Sequence, residues 1–492
     1  MFEIILACIS LILVIHITAS ILTFIHLWYV KEYRLDRMWI HIRNVGWSIF
    51  FTPFRKPHLS PKTSLLFLTT STTLAGLFYL LPFNRPFTLV IIDLFTFCVT
   101  LFWVILLQIP TAVWHHYEIS QANHLLKKYP KLEVIGITGS YGKTSTKEFL
   151  STILNYKFQV LKTELSKNSA VAVAELLLHQ LNRKHDLLIA EMAAYKKDEI
   201  ATIARLVRPQ IGIVTAINEQ HQDLFSSIQN TMHAKFELIQ SLTGKNIAIF
   251  SGDNPHTLEM ARWASELGKK IWLFSITQTT FPVWVEKVIR ATDIQVYPKN
   301  LTCKIQLNLE SYEMTLPLLG KHQVSNILAA ILGAVACRMS LREIMIAVKD
   351  IHTFRSTMEP VHGINGAEFI DDTFNNNPDA AMAAIDYLSV LDGRKFLVFQ
   401  PMIELGVYSK SAHEKVGKYA SNVCNQILLT NKFAYEDLIQ GAKQDSKNLK
   451  FKVISAHEGS VYLKKELKAG DTVLFKGKEA ARILKFLINE EV

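Results

Sequence analysis

Hydrophobic positions run almost without interruption in the first quarter of this chain and become periodic after it. Ile4 to Val30, Ser64 to Leu81 and Phe87 to Ile109 are near-continuous apolar runs, each close to the roughly 20 residues that cross about 30 Å of hydrocarbon. They predict three transmembrane helices, 4–30, 64–81 and 87–109, within a membrane region 1–114. The first run lacks a basic n-region and a small-residue cleavage site, which marks a retained helix rather than a signal peptide. The second is short and rich in Thr and Ser, and also suits a helical hairpin lying within the bilayer. Asp93, near the start of the third run, is placed at the interface and given no role.

From Lys131 the pattern alternates. Strand-like LEVIGIT, LLIAEMA, IGIVTAI and NIAIF are separated by a helix opening at a glycine loop, by DEIATIARLV and by TMHAKFELIQSL. Such alternation predicts a doubly wound parallel sheet, whose ligands gather at the carboxyl ends of the strands. Between Phe281 and Leu318 three short alternating segments (IQVYP, CKIQLNL, YEMTLPL) form a β-rich excursion, and NILAAILGAVACRM then reads as a helix. A second alternating series starts after Arg355, with AEFIDDT, AAMAAIDYL, KFLVFQP, HEKVGKYA, QILLT and VLFKG. The expected fold class is therefore α/β: N-terminal transmembrane helices, a central P-loop-type doubly wound domain over 115–350, and a C-terminal Rossmann-like domain over 351–492.

Composition adds a membrane orientation. The chain of 492 residues is 49% hydrophobic with a mean hydropathy of +0.18, and the excess lies before residue 115. Linker 31–63 carries Lys31, Arg34, Arg37, Arg43, Arg55, Lys56 and Lys62 against Glu32 and Asp36, so seven minus two, or +5, of the formal +10 resides there. The positive-inside rule makes this linker cytoplasmic, and three crossings put the N-terminus outside and everything after His115 in the cytoplasm. Trp39, Ile40, Trp47, Ile49, Phe50 and Phe51 among those cations suit either a segment lying on the anionic leaflet or a loop with aromatic anchors. Membrane lipid is thus an expected partner, and nucleic acid is not needed to explain the charge. The five cysteines are scattered without a C-x-x-C pair, which argues against a disulfide framework or a zinc site.

Candidate chemistry begins at GITGSYGKTSTKEF, Gly136 to Phe149. A strand ends near Thr138 and a helix opens at Thr144, so backbone N–H groups and the helix dipole face an anion at the turn. Gly139, Ser140, Gly142, Lys143, Thr144 and Ser145 form the expected ATP-binding turn. Lys143 would reach the β- and γ-phosphates, and the Thr144 hydroxyl would ligate Mg²⁺. The register departs from G-x-x-x-x-G-K-[ST], because Ile137 stands where the first glycine belongs. Glu191, closing the apolar run LLIAEMA, is placed as a hard oxygen ligand beside the phosphates.

The spacing G-x-x-G-x-x-G-K-T resembles the Mur ligase superfamily. With EMAAYKKDEI, NEQHQDLF, HAKFEL, LLGKHQVSN, FIDDTFNNNPDA and PMIELG following in order over about residues 131 to 480, the chain looks most like the MurF type. The resemblance implies an ATP-dependent, amide-forming ligase of peptidoglycan precursor synthesis, adding D-Ala-D-Ala or a similar amine to a UDP-muramoyl-peptide through an acyl phosphate. It further implies ATP and Mg²⁺ at two sites. Lys143, Glu191, His221 and Lys235 would be catalytic, with His221 as a ligand of the second metal and Lys235 carboxylated by CO₂. Asn326 would read the adenine, Arg355 and Asp372 would close over phosphates and ribose, and Asn375, Asn377 and Pro378 would shape the loop near the amine. Asn168 and Ser169 match the loop that faces the growing peptide.

Membrane segments stand where the family's UDP-binding N-terminal domain is expected, and Thr373-Phe374 replaces Ser-Tyr in the C-terminal hallmark. A membrane-associated poly-γ-glutamate (capsule) synthetase is the alternative ligase, and a membrane-anchored nucleotide-binding scaffold the non-enzymatic one. A transporter ATPase would need the conventional glycine register.

Overall fold

A computed structural model describes residues 2–46, 54–81, 84–164, 167–218, 225, 227–403, 405–443 and 449–488. The chain divides into two compact units, Met1–Glu118 and Ile119–Val492.

In the first unit α1 (Phe2–Val30), α3 (Pro61–Leu80) and α4 (Arg85–Leu126) are long and apolar enough to cross a membrane by length and composition, and a short helix α2 (Leu35–Val45) lies between the first two. The second apolar run forms one continuous helix rather than a hairpin. Ser60 caps it in a reciprocal capping box with Thr63, and Pro61 opens it. Three of its threonines are compatible with an apolar surround because their hydroxyls donate back to carbonyls one turn earlier: Thr69 to Leu65 at 2.9 Å, Thr72 to Leu68 at 2.9 Å and Thr73 to Thr69 at 2.8 Å. Thr73 Oγ1 also accepts the Trp103 indole N–H at 2.9 Å, tying α3 to α4.

The interior of this unit is built from Ile17, Ile21, Ile25, Trp28, Leu66, Leu74, Leu89 and Val104. Asp93 is joined to the first helix: its Oδ1 lies 3.1 Å from Nδ1 of His16, midway along α1. Helix α4 runs as one element through Pro110 to Leu126, well beyond the expected end of the third run. On α2, Met38 is buried while Trp39 is exposed. Trp47, Ile49, Phe50 and Phe51 lie outside the described residues.

In the second unit, nine described strands form one sheet in the order β2-β3-β1-β4-β5-β6-β7-β8-β9. These are β1 (Glu133–Thr138), β2 (Val160–Lys162), β3 (Leu187–Glu191), β4 (Ile211–Val214), β5 (Ile247–Ser251), β6 (Lys270–Ser275), β7 (Lys287–Val296), β8 (Leu301–Leu307) and β9 (Glu310–Leu316). Every pairing from β2 to β7 is parallel, and β7 to β9 are antiparallel. The β-rich excursion is therefore no separate layer; it prolongs the edge of the parallel sheet.

Helices α5 (Lys143–Asn155), α6 (Ala170–Gln180), α7 (Glu199–Val207), α8 (Ile228–Gln240) and α9 (Pro255–Glu266) alternate with the strands, and α10 (His322–Ala336) and α11 (Leu341–Ala347) follow them. The central strands are buried on both faces, as continuous apolar runs such as Leu187–Glu191 require. Helix α10 is almost wholly buried beside α5; a Cβ at Gly333 would lie 3.0 Å from both Leu150 methyls, so glycine permits that approach. The parallel winding brings Thr138, Glu191, Val214, Ser251 and Ser275 to one edge.

The second described sheet has the order β10-β11-β15-β12-β13-β14, from β10 (Glu359–His362), β11 (Glu368–Asp372), β12 (Lys395–Phe399), β13 (Gln426–Leu429), β14 (Lys450–Val453) and β15 (Thr472–Lys476). Only the β10–β11 pairing is antiparallel. Helices α12 (Pro378–Leu388), α13 (Ser409–Ser421), α14 (Tyr435–Ala442), α15 (Ala456–Glu466) and α16 (Ala480–Ile488) accompany these strands. Register pairs Asp372 with Lys476, so an acid and a base share the carboxyl edge of this sheet.

Candidate active site

The turn from β1 to α5 depends on two glycines. Gly139 has φ +151° and Gly142 φ +79°, and a side chain at the first would collide with Thr215 and at the second with Asn326. Gly136 answers a different need: a Cβ there would meet Leu238 of α8 at 2.5 Å, so its absence lets that helix pack on β1. The loop is pinned to the end of β4, with Ser140 N–H donating to Ala216 O at 2.6 Å and Asn218 N–H donating to Ser140 Oγ at 3.1 Å. Half-buried Lys143 folds over this loop and donates from Nζ to Gly139 O at 2.7 Å and Ser140 O at 3.1 Å. Burial holds its pKa below the usual lysine value, with the charge of Glu191 acting in the opposite direction.

Glu191 collects residues from three segments. Its Oε1 accepts from Thr144 Oγ1 at 3.1 Å and from Asn168 Nδ2 at 3.3 Å, and its Oε2 lies 3.2 Å from Lys147 Nζ. Its backbone N–H donates to Thr163 Oγ1 at 3.0 Å, which fixes the end of β3. Both Glu191 Oε2 and Lys147 Nζ are buried without a well-directed hydrogen bond, so their contact is an ion pair with acceptor capacity left over on the carboxylate. Ser169 caps α6 through its side chain. Lys235, on α8, is 4% exposed, and burial first, then the charge of Lys143, pushes its pKa well below the usual value. His221 lies outside the described residues.

Facing the loop is a cleft of about 290 Å³ whose walls come from both sheets. The first sheet contributes Gly142 to Ser145, Thr215, Asp253 and Asn326; the second contributes Asp372, Asn375, Asn377 and Lys476. Asp372 and the fully buried Lys476 form an ion pair. Asn218 joins the two sides, donating from Nδ2 to Asp379 Oδ2 at 2.8 Å and to Asn377 Oδ1 at 3.5 Å, while Asn377 also caps α12. Arg355 is exposed and does not line the cleft.

His322 lines the same cleft with a buried, unpartnered Nδ1, and burial is the main cause that brings its pKa from 6.5 to about 4. Above pH 6.5 the ring is neutral folded or unfolded. As pH falls from 6.5 toward about 4, only the unfolded chain takes up the proton, so folding stability should fall across that window. The unfolding midpoint followed against pH should show this slope, and His322→Gln should flatten it; a slope unchanged in the variant would assign the acid loss elsewhere.

The Mur ligase middle domain is matched over residues 137–334, and the Mur ligase glutamate ligase domain over residues 358–479. This chain belongs to the Mur ligases. The first match spans the glycine loop, Glu191, Lys235 and Asn326, and the second spans Asp372, Asn377 and Lys476. This Mur ligase is 30% identical over 288 residues to the UDP-N-acetylmuramoyl-tripeptide–D-alanyl-D-alanine ligase of Escherichia coli, covering 58% of the chain and 62% of that protein. It thus spans about three fifths of that relative's length. It is 27% identical over 365 residues to the ligase of the same name from Buchnera aphidicola, covering 73% and 77%. Its fold is similar to that of the MurF ligase from Thermotoga maritima solved in complex with ADP, with TM-score 0.65, 22% identity and coverage of 76% and 84%.

Motif reading of this Mur ligase does not single out Lys147, Asn218, His322 or Lys476. Lys147 carried a usable signal, because it follows Lys143 by one helical turn on the same face of α5. The other three acquire meaning only where strands meet.

Proposed function

We propose that this chain is a membrane-attached, ATP-dependent ligase that joins D-alanyl-D-alanine to a UDP-N-acetylmuramoyl-tripeptide. The observation that carries the reading is that Lys143 and Thr144 line one cleft opposite Asp372 and Lys476, while Thr144 is hydrogen-bonded to Glu191 and Glu191 to Asn168 behind it. The names of the Escherichia coli and Buchnera aphidicola relatives supply the substrate class.

ATP would lie with its phosphates on the Gly139–Thr144 turn, where they would take the Lys143 ammonium from the loop carbonyls it now contacts. Asn326, beside Gly142 in the cleft, is the proposed adenine contact, and Ser140 and Ser145 complete the phosphate turn. Mg²⁺ suits Thr144 and Glu191, since a hydroxyl and a buried carboxylate oxygen without a hydrogen-bond partner are hard oxygen donors. When bound it would neutralise charge that gathers on the transferred phosphoryl group. Lys235 suits carboxylation, because burial favours its neutral amine; His221 and a second metal complete the proposed set.

In the reaction a substrate carboxylate oxygen attacks the γ-phosphorus and ADP leaves, giving an acyl phosphate. The amine nitrogen then attacks the acyl carbon and loses a proton, and phosphate departs to leave the amide. Lys143 meets the charge on the phosphoryl oxygens, and no enzyme nucleophile is required. Asn168 and Ser169 border the acid side, and Asn375 and Asn377 the amine side. Arg355, exposed on the segment between the sheets, would join the phosphates through domain closure, which also keeps water from the acyl phosphate.

The N-terminal helices would span the membrane, with α2 and its exposed Trp39 on the anionic inner leaflet and the ligase part in the cytoplasm. The test is ADP release by the full chain in detergent, supplied with UDP-muramoyl-tripeptide and D-Ala-D-Ala. Release that needs both substrates supports the assignment. Release driven instead by a glutamate polymer and glutamate would favour the capsule-type ligase.

A further inference from the structure

One buried charge in the site has no place in that chemistry. Lys147 is fully buried, one turn after Lys143 on α5, with its Nζ 3.2 Å from Glu191 Oε2 and 3.3 Å from Glu148 Oε1. Glu148 also pairs with Lys162 at the end of β2, which leads into the segment carrying Asn168, and Asn168 returns to Glu191. Lys162, Glu148, Lys147 and Glu191 thus form a row of two ammonium groups and two carboxylates that is neutral in itself, with the Lys143 ammonium adding a further positive charge near Glu191.

A lysine kept out of water needs compensation, and here compensation is supplied by the same carboxylate that would take the metal. Because the Lys147–Glu191 contact is misaligned as a hydrogen bond, Glu191 is neutralised without its second oxygen being fully engaged. We propose that Lys147 is a positioning residue and resident counter-ion of Glu191 that keeps free Mg²⁺ from binding there and makes metal binding conditional on the nucleotide. This rests on the Mg²⁺·ATP reading above. Without nucleotide, the chain of charges is balanced and a divalent cation adds uncompensated charge beside an ammonium. With ATP on the loop, the phosphates supply the negative charge that admits the cation, while Lys147 holds Glu191 toward it. The consequence is ordered use of the site: metal arrives with ATP.

The test is Mn²⁺ binding to the full chain in detergent, followed by paramagnetic resonance with and without a non-hydrolysable ATP analogue. The wild type should bind Mn²⁺ at least tenfold more tightly with the analogue than without. Lys147→Met keeps a linear side chain and removes the charge, and it should bind Mn²⁺ without nucleotide at least tenfold more tightly than the wild type. Glu148→Gln should shift the balance the other way and weaken Mn²⁺ binding in the presence of the analogue, which provides a reading even where Lys147→Met does not fold. Equal nucleotide-free affinity in wild type and Lys147→Met would overturn the counter-ion role. Failure of the wild type to bind Mn²⁺ even with the analogue would overturn the metal assignment at Glu191 itself.

Discussion

Replacing Lys143 with alanine should lower ATP turnover by about 10²–10³-fold, the cost of removing one preorganised charge stabiliser from a phosphoryl transfer. The variant should fold, because among the described residues the lysine Nζ is bonded only to carbonyls of its own loop, and the alanine would leave the loop's anchors to Ala216 and Asn218 intact. Unfolding midpoints of variant and wild type should therefore agree closely while ADP release collapses. Comparable turnover in the two proteins would remove the phosphate role from this loop.

The second large effect is expected at Lys235. An ordinary surface lysine is protonated and inert toward CO₂. Here burial, with Lys143 adding to it, favours the free amine, which can attack CO₂ and lose a proton to become a carbamate anion. The product would exchange a buried cation-former on helix α8 for an anion within the field of Lys143. Lys235→Ala should cost roughly 10–100-fold in turnover, the range for removing a group that supports a metal site. Lys235→Glu should restore part of it by replacing the carbamate with a fixed carboxylate. Incubation with ¹³CO₂ should give a carbamate resonance in the wild type that is missing from both variants. A wild type without that resonance, or an alanine variant with full turnover, would return Lys235 to the status of a buried structural lysine.

Lys143 is legible in one dimension because it belongs to a local pattern, whereas Lys235 is reached only through the resemblance to the Mur ligases. The glycine loop is contiguous, so Gly139, Gly142, Lys143 and Thr144 declare an anion site without knowledge of the fold. Strands of the parallel sheet are buried on both faces and read as apolar runs, which is why LEVIGIT and LLIAEMA were recognisable as elements. Strand β6 (KIWLFS) and strand β2 (VLK) stand out less, the latter because three residues are too few to display a period. The β-rich excursion illustrates the limit: its strands are visible in the sequence, but whether they form their own layer or prolong a sheet depends on hydrogen bonds to β6.

By itself, then, the sequence determined three bilayer-length apolar helices, the alternation that makes an α/β fold, and the chemical character of the anion loop, because each is encoded by neighbours or by a short period. Tertiary structure alone decided that Asn168, Thr144 and Lys147 converge on Glu191, that Asp372 is paired with Lys476, that Asn218 bridges to Asp379, and that Asp93 is joined to His16. Those partners are separated by up to 161 positions in the chain. The partners in the α/β part meet because right-handed parallel crossovers return successive strand ends to one edge, and Asp93 meets His16 because α1 and α4 share one apolar interior; burial, which no local pattern records for a lone lysine or histidine, then determines the charge each can carry.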